Sequence, residues 1–385
     1  MERFFRGSLI LLLATGLSAC SLFSSDEEEV RVPKPLQAIE EQAQLSKVWS
    51  QSIGAGVGER FEKLIPVISE GVVYIAGADG TVSAFERDSG KQIWSRKLEA
   101  VRVGGGVSLG SDQLLLGTLS GEVIALDKVD GKDLWRTRIG SEILSTPVSD
   151  GAYVAVRSID DRLTVLNGAN GELMWRQEAL QPALTLRGSS EPVIVRDAVF
   201  AGFASGEAKA FRLENGVPLW SARVAIPKGS TELERMVDIK GTPLVGGSVL
   251  YMTSFQGNVA ALDLYSGRTI WAKDISSYKS MAEGFGALYV TSEDSYVSSV
   301  DMRTGAANWR QENLEYRRLS APAAFSSYVL VGDFEGYIHM LSQVDGSFVG
   351  RYKSGSSAIS AQPVVDGDMV FVMNSSGELA ALKQK

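Results

Sequence analysis

The sequence predicts an all-β protein: an eight-bladed β-propeller of four-stranded antiparallel blades, its ring closed by an N-terminal strand that completes the last blade. Three observations lead there. The first is a recurring phrase: a small turn residue, an alternating apolar run, a Gly ten positions on and a Trp four beyond that. It is intact at Gly80–Gly90–Trp94, Gly121–Gly131–Trp135, Gly206–Gly216–Trp220 and Gly257–Gly267–Trp271. Asp161–Gly171–Trp175 and Ser295–Gly305–Trp309 replace the first Gly, and Gly336–Gly346 has Gly350 in place of the Trp. The second is the period of about 40 residues, the signature of propellers, solenoids and arrays. The third is the broken eighth copy. It reaches Gly377 and lacks its second half, while Trp49, near the other end, has no unit of its own.

Each unit reads as four short strands. In the unit ending at Trp135 they are 103–109, 113–118, 122–127 and 133–139, separated by Gly110-Ser111-Asp112, Ser120-Gly121 and Asp130-Gly131. Short alternating strands punctuated by Gly and Asp-Gly turns argue for antiparallel sheet rather than βαβ units. Four such strands per unit, arranged in a ring, make a propeller. Val48-Trp49-Ser50 then supplies the outer strand of the blade formed by about the last 30 residues. Closing the ring this way hides two sheet edges, and it places the departure of the preceding chain at the outer rim of blade eight.

Residues 1–19 read as a lipoprotein signal peptide. Arg3 and Arg6 precede an apolar stretch from Leu9 to Leu17 that is too short to span a bilayer, and Leu17-Ser18-Ala19-Cys20 follows. That sequence resembles a lipobox, in which Cys20 becomes the acylated first residue. Ser21 stands where an Asp would favour inner-membrane retention, which is compatible with the outer membrane. Removing the peptide takes the net charge from −8 to −9 and leaves a single cysteine, so stability rests on the core without disulfides. Residues 20–45, with Asp26-Glu27-Glu28-Glu29, Pro33 and Pro35, read as a lipidated flexible tether. As a coil it would span roughly 25–30 Å r.m.s.. The propeller takes 46–385. The acidic balance argues against nucleic acid as a partner.

Successive Trp positions from Trp94 step by 41, 40, 45, 51 and 38 residues, then 41 to Gly350. The steps of 45 and 51 place insertions after Trp175 and Trp220, in neighbouring connections on one face of the ring. Insertions in repeat proteins collect where binding happens. The tryptophans themselves share one phase of the repeat, which fits docking between blades: Trp49, Trp94, Trp135, Trp175, Trp220, Trp271 and Trp309.

Catalytic chemistry is not visible. His339 is the single histidine and lies in an alternating strand, which fits a structural role; a His-rich metal site is therefore impossible. Gly54-Ala55-Gly56-Val57-Gly58 and Gly104-Gly105-Gly106 lack the strand-Gly-helix setting of a phosphate loop. No carboxylate pair stands out as acid and base, and no metal or cofactor is expected. The first insertion, Gln181 to Ser190, carries Leu184, Leu186 and Arg187; the second, Lys228 to Asp238, alternates charges with Leu233, Met236 and Val237. An apolar pair flanked by Arg and carboxylates has the makeup of an interface centre. Composition alone equally allows Leu184 and Leu186 to begin the next inner strand and face the core.

Ala125-Leu126-Asp127…Gly131…Trp135 and Ala261-Leu262-Asp263…Gly267…Trp271 resemble the tryptophan-docking repeat of pyrroloquinoline-quinone enzymes. Together with the lipobox, the acidic tether and the Leu184–Ser189 loop, the whole chain resembles the BamB family of outer-membrane assembly lipoproteins. The resemblance implies a non-enzymatic accessory of the BAM complex, the machine that inserts β-barrel proteins into the outer membrane. It implies a lipid anchor facing the periplasm, no cofactor, and the POTRA region of BamA as partner. Unfolded β-barrel clients are a further expected contact. By the same resemblance the partner-binding positions are Leu184, Leu186, Arg187 and Asp238, with Lys240 standing where a second acid is usual. The alternative is a quinoprotein dehydrogenase, PQQ-dependent, but the disulfide of adjacent cysteines common there cannot form from one Cys.

Overall fold

The computed structural model describes residues 31–56, 64–179 and 181–385. The lipobox and Cys20, and Gly58 of the first Gly-rich run, lie outside the described residues. The propeller unit begins at Lys34 and runs to Lys385. Its strands form eight four-stranded antiparallel sheets, one per sequence unit. Blades 1 to 7 span 67–97, 103–138, 148–178, 193–223, 244–274, 282–311 and 323–353; blade 8 is 364–384 plus Leu45–Ser52. In blade 2 the strands are Val103–Leu109, Gln113–Thr118, Glu122–Asp127 and Asp133–Arg138, within one residue of the ranges read from the turns.

Within a blade the strands are called A to D in chain order, with Leu45–Ser52 as D of blade 8. A strands of consecutive blades touch, so they line the axis. The B and C strands are covered on both faces by neighbouring blades. Their central residues are buried throughout, as in Val72–Ala76 and Thr81–Glu86, and this is why they read as unbroken apolar runs. The D strands have one side in water and alternate, as in Gln92–Lys97. Strand direction then sorts the loops. B–C turns and the D-to-A connections between blades lie on one face, called here the connection face; A–B and C–D turns lie on the other.

A β-bulge recurs at the C–D pairing. Ala84 pairs with Trp94 and Phe85 with Gln92, so Ile93 is skipped and turned out, while the indole is brought opposite a small residue. The same skip occurs in blades 2 to 7. Blade 8 repeats it between the two ends of the chain: Lys47 pairs with Leu382 and Trp49 with Ala381, skipping Val48. The ring is closed by the N-terminal strand.

Each indole docks on the next blade's C–D turn. The seven Nε1–H groups donate to Arg87 O, Lys128 O, Gly168 O, Leu213 O, Leu264 O, Met302 O and Gln343 O at 2.7–3.2 Å. The turn's Gly lies flat against the ring. At Gly131 (φ +71°) an added Cβ would come within 2.8 Å of Trp94, so the position needs both the left-handed conformation and the missing side chain. Gly350 follows from the same rule. The turn it would dock on lies where blade 8 changes chain ends, so no turn exists there. The N-terminal segment fills the slot instead: Gln42 N and Ala43 N donate to Val349 O at 2.8 and 2.9 Å, and Lys385 N donates to Gln44 O at 3.0 Å. A Cβ on residue 350 would sit 2.2 Å from Ala43 O.

Residues 34–44, read from composition as part of the flexible tether, are bound to the body. Lys34 N donates to Glu315 O, Arg317 Nη1 to Lys34 O and Arg351 Nη1 to Gln37 O, at 3.0–3.2 Å. Leu36 packs, as Trp309 and Phe348 do, against the buried cluster between blades 6 and 7 that includes Leu314 and Leu319. The chain therefore enters the body at the blade 6–7 connection and not at the rim of blade 8. Polar composition concealed this because the strap is held largely through its backbone N–H and carbonyl groups, which almost any residue type offers.

Candidate functional site

The connection face carries the long insertions. Residues 179–192 link blades 3 and 4, and 224–243 link blades 4 and 5. A further long connection, 53–66, links blades 8 and 1, where the step from Trp49 to Trp94 is also 45 residues. Lys34, bonded to the 312–322 connection, enters on this face too.

Leu184 is 44% exposed, and the Arg187 side chain is 57% exposed with Nη2 3.3 Å from Glu142 Oε2. Leu186 is half-buried. Neither leucine belongs to strand A of blade 4, which starts at Val193, so the core-strand reading falls away. The loop is held from below. Leu186 N donates to Asp238 Oδ2 at 3.0 Å, Ser189 Oγ to Ser158 O at 3.1 Å, and Ser190 Oγ to Gly241 O at 3.1 Å.

Asp238, expected as an acidic surface contact, is only 2% exposed and faces inward. Beneath it lies a charged pair that the sequence reading did not find: Arg157 and Asp161, both buried and ion-paired in the B–C turn of blade 3. The Arg157 guanidinium also donates to Gly202 O and stacks on Phe203 at 4.1 Å. Asp161 accepts the Ala204 N–H at 3.3 Å. Its place in the phrase is that of the usual Gly, and its φ is +63°, so an acid at a position that favours Gly was the available signal. Burial, and then the neighbouring Asp161 charge, push the Asp238 carboxyl up to about 7, against the opposing pull of the Leu186 N–H, Arg157 and Lys240. Lys240 lays its methylene stem along Gly188, where a Cβ would meet Cε at 2.7 Å, and its ammonium lies 5.3 Å from the Tyr278 ring. The structure thus brings Leu184, Leu186 and Arg187 together at the surface, with Asp238 and Lys240 as the frame beneath them.

At the axis on this face, Glu191 accepts from Thr146 Oγ1 and Thr242 Oγ1, both at 2.7 Å. A small depression open to solvent is lined there by Glu191, Tyr278, Lys279 and Gln362 among others. His339 does not line it and is fully buried; its Nε2 lies 3.0 Å from Asp333 Oδ2, and Nδ1 accepts from Arg351 Nε at 3.2 Å. Among the described residues no group of three His, Cys, Asp or Glu is placed to hold a metal ion, and no helix is long and apolar enough to cross a membrane.

Comparison with known proteins follows the same lines. The family model described as outer membrane protein assembly factor BamB matches residues 38–101, 78–311 and 293–385. An assembly factor BamB of Pseudomonas aeruginosa is 43% identical over 370 residues, covering 96% of this chain and 97% of its own. Those of Yersinia pestis and Escherichia coli are 34% and 32% identical, covering 95% and 94% of each chain. The crystal structure of BamB from Moraxella catarrhalis superposes with a TM-score of 0.81 at 26% identity, covering 88% of this chain and all of that one. A quinohemoprotein alcohol dehydrogenase from Comamonas testosteroni reaches a TM-score of 0.69 at 13% identity over 88% of this chain and 76% of its own, a likeness of fold alone. The chain belongs to the BamB family of outer membrane protein assembly factors.

Proposed function

We propose that the protein is a scaffold lipoprotein of the BAM complex: it is anchored to the outer membrane through Cys20, faces the periplasm and binds the POTRA region of BamA through the 184–187 loop. The observation that carries this reading is the loop itself. It exposes Leu184 and Arg187 on a face built by insertions, yet its backbone is fixed by Asp238, Ser189 and Ser190. A rigid apolar and cationic display loses little conformational entropy on binding, and such anchors dominate interface energetics. The names of the relatives support membership in outer-membrane protein assembly. Asp238 is here a positioning residue: it shapes the loop and does not touch the partner.

The test is co-purification with BamA. Leu184→Asp combined with Arg187→Ala abolishes it while the melting temperature stays that of the parent protein. Undiminished co-purification removes the loop from the interface.

A further inference from the structure

The chain's single histidine, which the function proposed above does not use, stands behind the grip on the N-terminal strap. His339, in strand C of blade 7, is fully buried between two groups of fixed character. On one side Nε2 lies 3.0 Å from Asp333 Oδ2; on the other, Nδ1 lies 3.2 Å from Arg351 Nε. An ionised carboxylate only accepts and a guanidinium only donates, so the ring is neutral, with its proton on Nε2 and its lone pair on Nδ1. Arg351, aimed in this way, donates from Nη1 to Gln37 O at 3.2 Å. Asp333 aims a second arginine. It accepts from Arg317 Nε and Nη2 at 2.9 and 2.7 Å, while Arg317 Nη1 donates to Lys34 O at 3.1 Å. The row Arg317, Asp333, His339 and Arg351 thus ends on two strap carbonyls.

Protonation of His339 breaks this row at one point. Nδ1 then carries a hydrogen that faces the Arg351 Nε–H, donor against donor and cation against cation, in a buried setting where water screens little. The groups around the ring do not relieve the clash. Asp333 is already shared with Arg317, whose Nη2 also reaches Glu335. Tyr337 of the same strand lies under Arg351 and Lys353, and Glu41 of the strap attracts Arg351 rather than the ring. Strand B places Val331 opposite His339, and strand D places Phe348 edge-on to it. Nor does Asp333 take the proton first: against its burial, the bonds from His339, the Tyr337 N–H and Arg317 hold its carboxyl below 3.8. Arg351 is half-buried, so it can turn to solvent, and its bond to Gln37 O goes with it.

We propose that His339 and Arg351 form an acid-sensitive catch on the strap, latched while the ring is neutral and released when it is protonated. The latched form disfavours the proton. Burial, with Arg351 and Arg317 against the pull of Asp333, holds the His339 pKa below 6.5, so the catch is complete above that value and weakens as pH falls. Release moves the point at which the chain leaves the body from the 312–322 connection to Leu45, the start of strand D of blade 8. For a chain anchored through Cys20, residues 34–44 then lengthen the tether. That consequence alone rests on the function proposed above; the catch does not.

The experiment is hydrogen exchange of the 34–44 backbone amides, read by mass spectrometry on the full chain from pH 7.5 to 4, with far-UV spectra as a control for folding. The parent, Arg351→Gln and His339→Gln are compared at each pH, which cancels the intrinsic pH dependence of exchange. At pH 7.5 the strap exchanges about tenfold or more faster in Arg351→Gln than in the parent, the scale of one charge-assisted hydrogen bond. As pH falls the parent approaches Arg351→Gln, while the difference between His339→Gln and Arg351→Gln stays constant, because glutamine takes up no proton. Three results overturn the inference: equal protection in the parent and Arg351→Gln at pH 7.5, a parental advantage undiminished at pH 4, or a His339→Gln strap that loosens with acid as the parent's does. Should His339→Gln fail to fold, the first two comparisons still decide. Binding of BamA is not read here, so failure of the catch leaves the proposed function standing.

Discussion

Asp238 shows how much a residue's role depends on which way its side chain turns. In the sequence it is one acid in a charged loop; in the structure it sits buried over the Arg157–Asp161 ion pair, where desolvation and the Asp161 charge outweigh the pull of the Leu186 N–H, Arg157 and Lys240. Its proton is therefore held to about pH 7, against 3.8 for an ordinary Asp. The folded state binds that proton more tightly than the unfolded chain, so the associated stability is complete below pH 4 and is lost as pH rises through 7. Asp238→Asn keeps an oxygen for the Leu186 N–H and removes the titration. Melting temperatures between pH 5 and 8 should show a stabilisation on acidification in the parent that the variant lacks; equal slopes refute the assignment. His339 works in the opposite sense. Burial, with Arg351 and Arg317 adding to it against the pull of Asp333, holds its pKa below 6.5, so it contributes stability above that value and loses it as pH falls. Comparison with Asp238→Asn separates the two, because the His339 contribution is common to both proteins.

At the scale of elements, the unit of construction is bulge, indole and turn. The bulge skips one residue and sets the indole opposite a small side chain; the indole then caps the next blade's turn through one hydrogen bond and a bare Gly. Trp135→Ala, which removes an indole only 8% exposed, should cost about 3–5 kcal/mol, the range for removing a large buried aromatic, measured by denaturant unfolding. The turns, the indole spacing and the docking of indoles between blades were legible, because turn residues and indoles carry their spacing in the chain; the bulge was not read from the sequence. The strap was not. Its sequence is polar, and its attachment uses main-chain carbonyls accepting from Arg317 and Arg351, far away in the chain. Gly350→Val should displace Ala43 from its place beside residue 350 and expose 34–44 to limited proteolysis while the blades remain folded; an unchanged cleavage pattern would show that the slot does not hold the strap.

At the scale of the whole molecule, a ring of eight sheets has one seam, and the two ends of the chain share it. Seven register pairs join Leu45–Ser52 to the C-terminal strand, and Trp49 continues across to Arg87 of blade 1. Loss of the seam exposes two edges and an apolar interface together. Deleting 46–52 or 376–385 should lower the melting temperature by about 10 °C or more, a loss of several kcal/mol in a domain of this size; a parental melting curve for either truncation would mean that the blade is not shared.

The sequence by itself determined the blade count, the strands, the docking tryptophans, the closure of the ring and the face that carries the insertions. All of these are periodic or local, set by alternation, turn chemistry and spacing along the chain. Only the tertiary structure decided that Asp238 lies buried over Arg157 and Asp161, that it holds the Leu186 backbone from below, and that the N-terminal segment is latched to blades 6 and 7. Each of these depends on which side chains and carbonyls meet across blades, and linear spacing along a repeat holds no record of that.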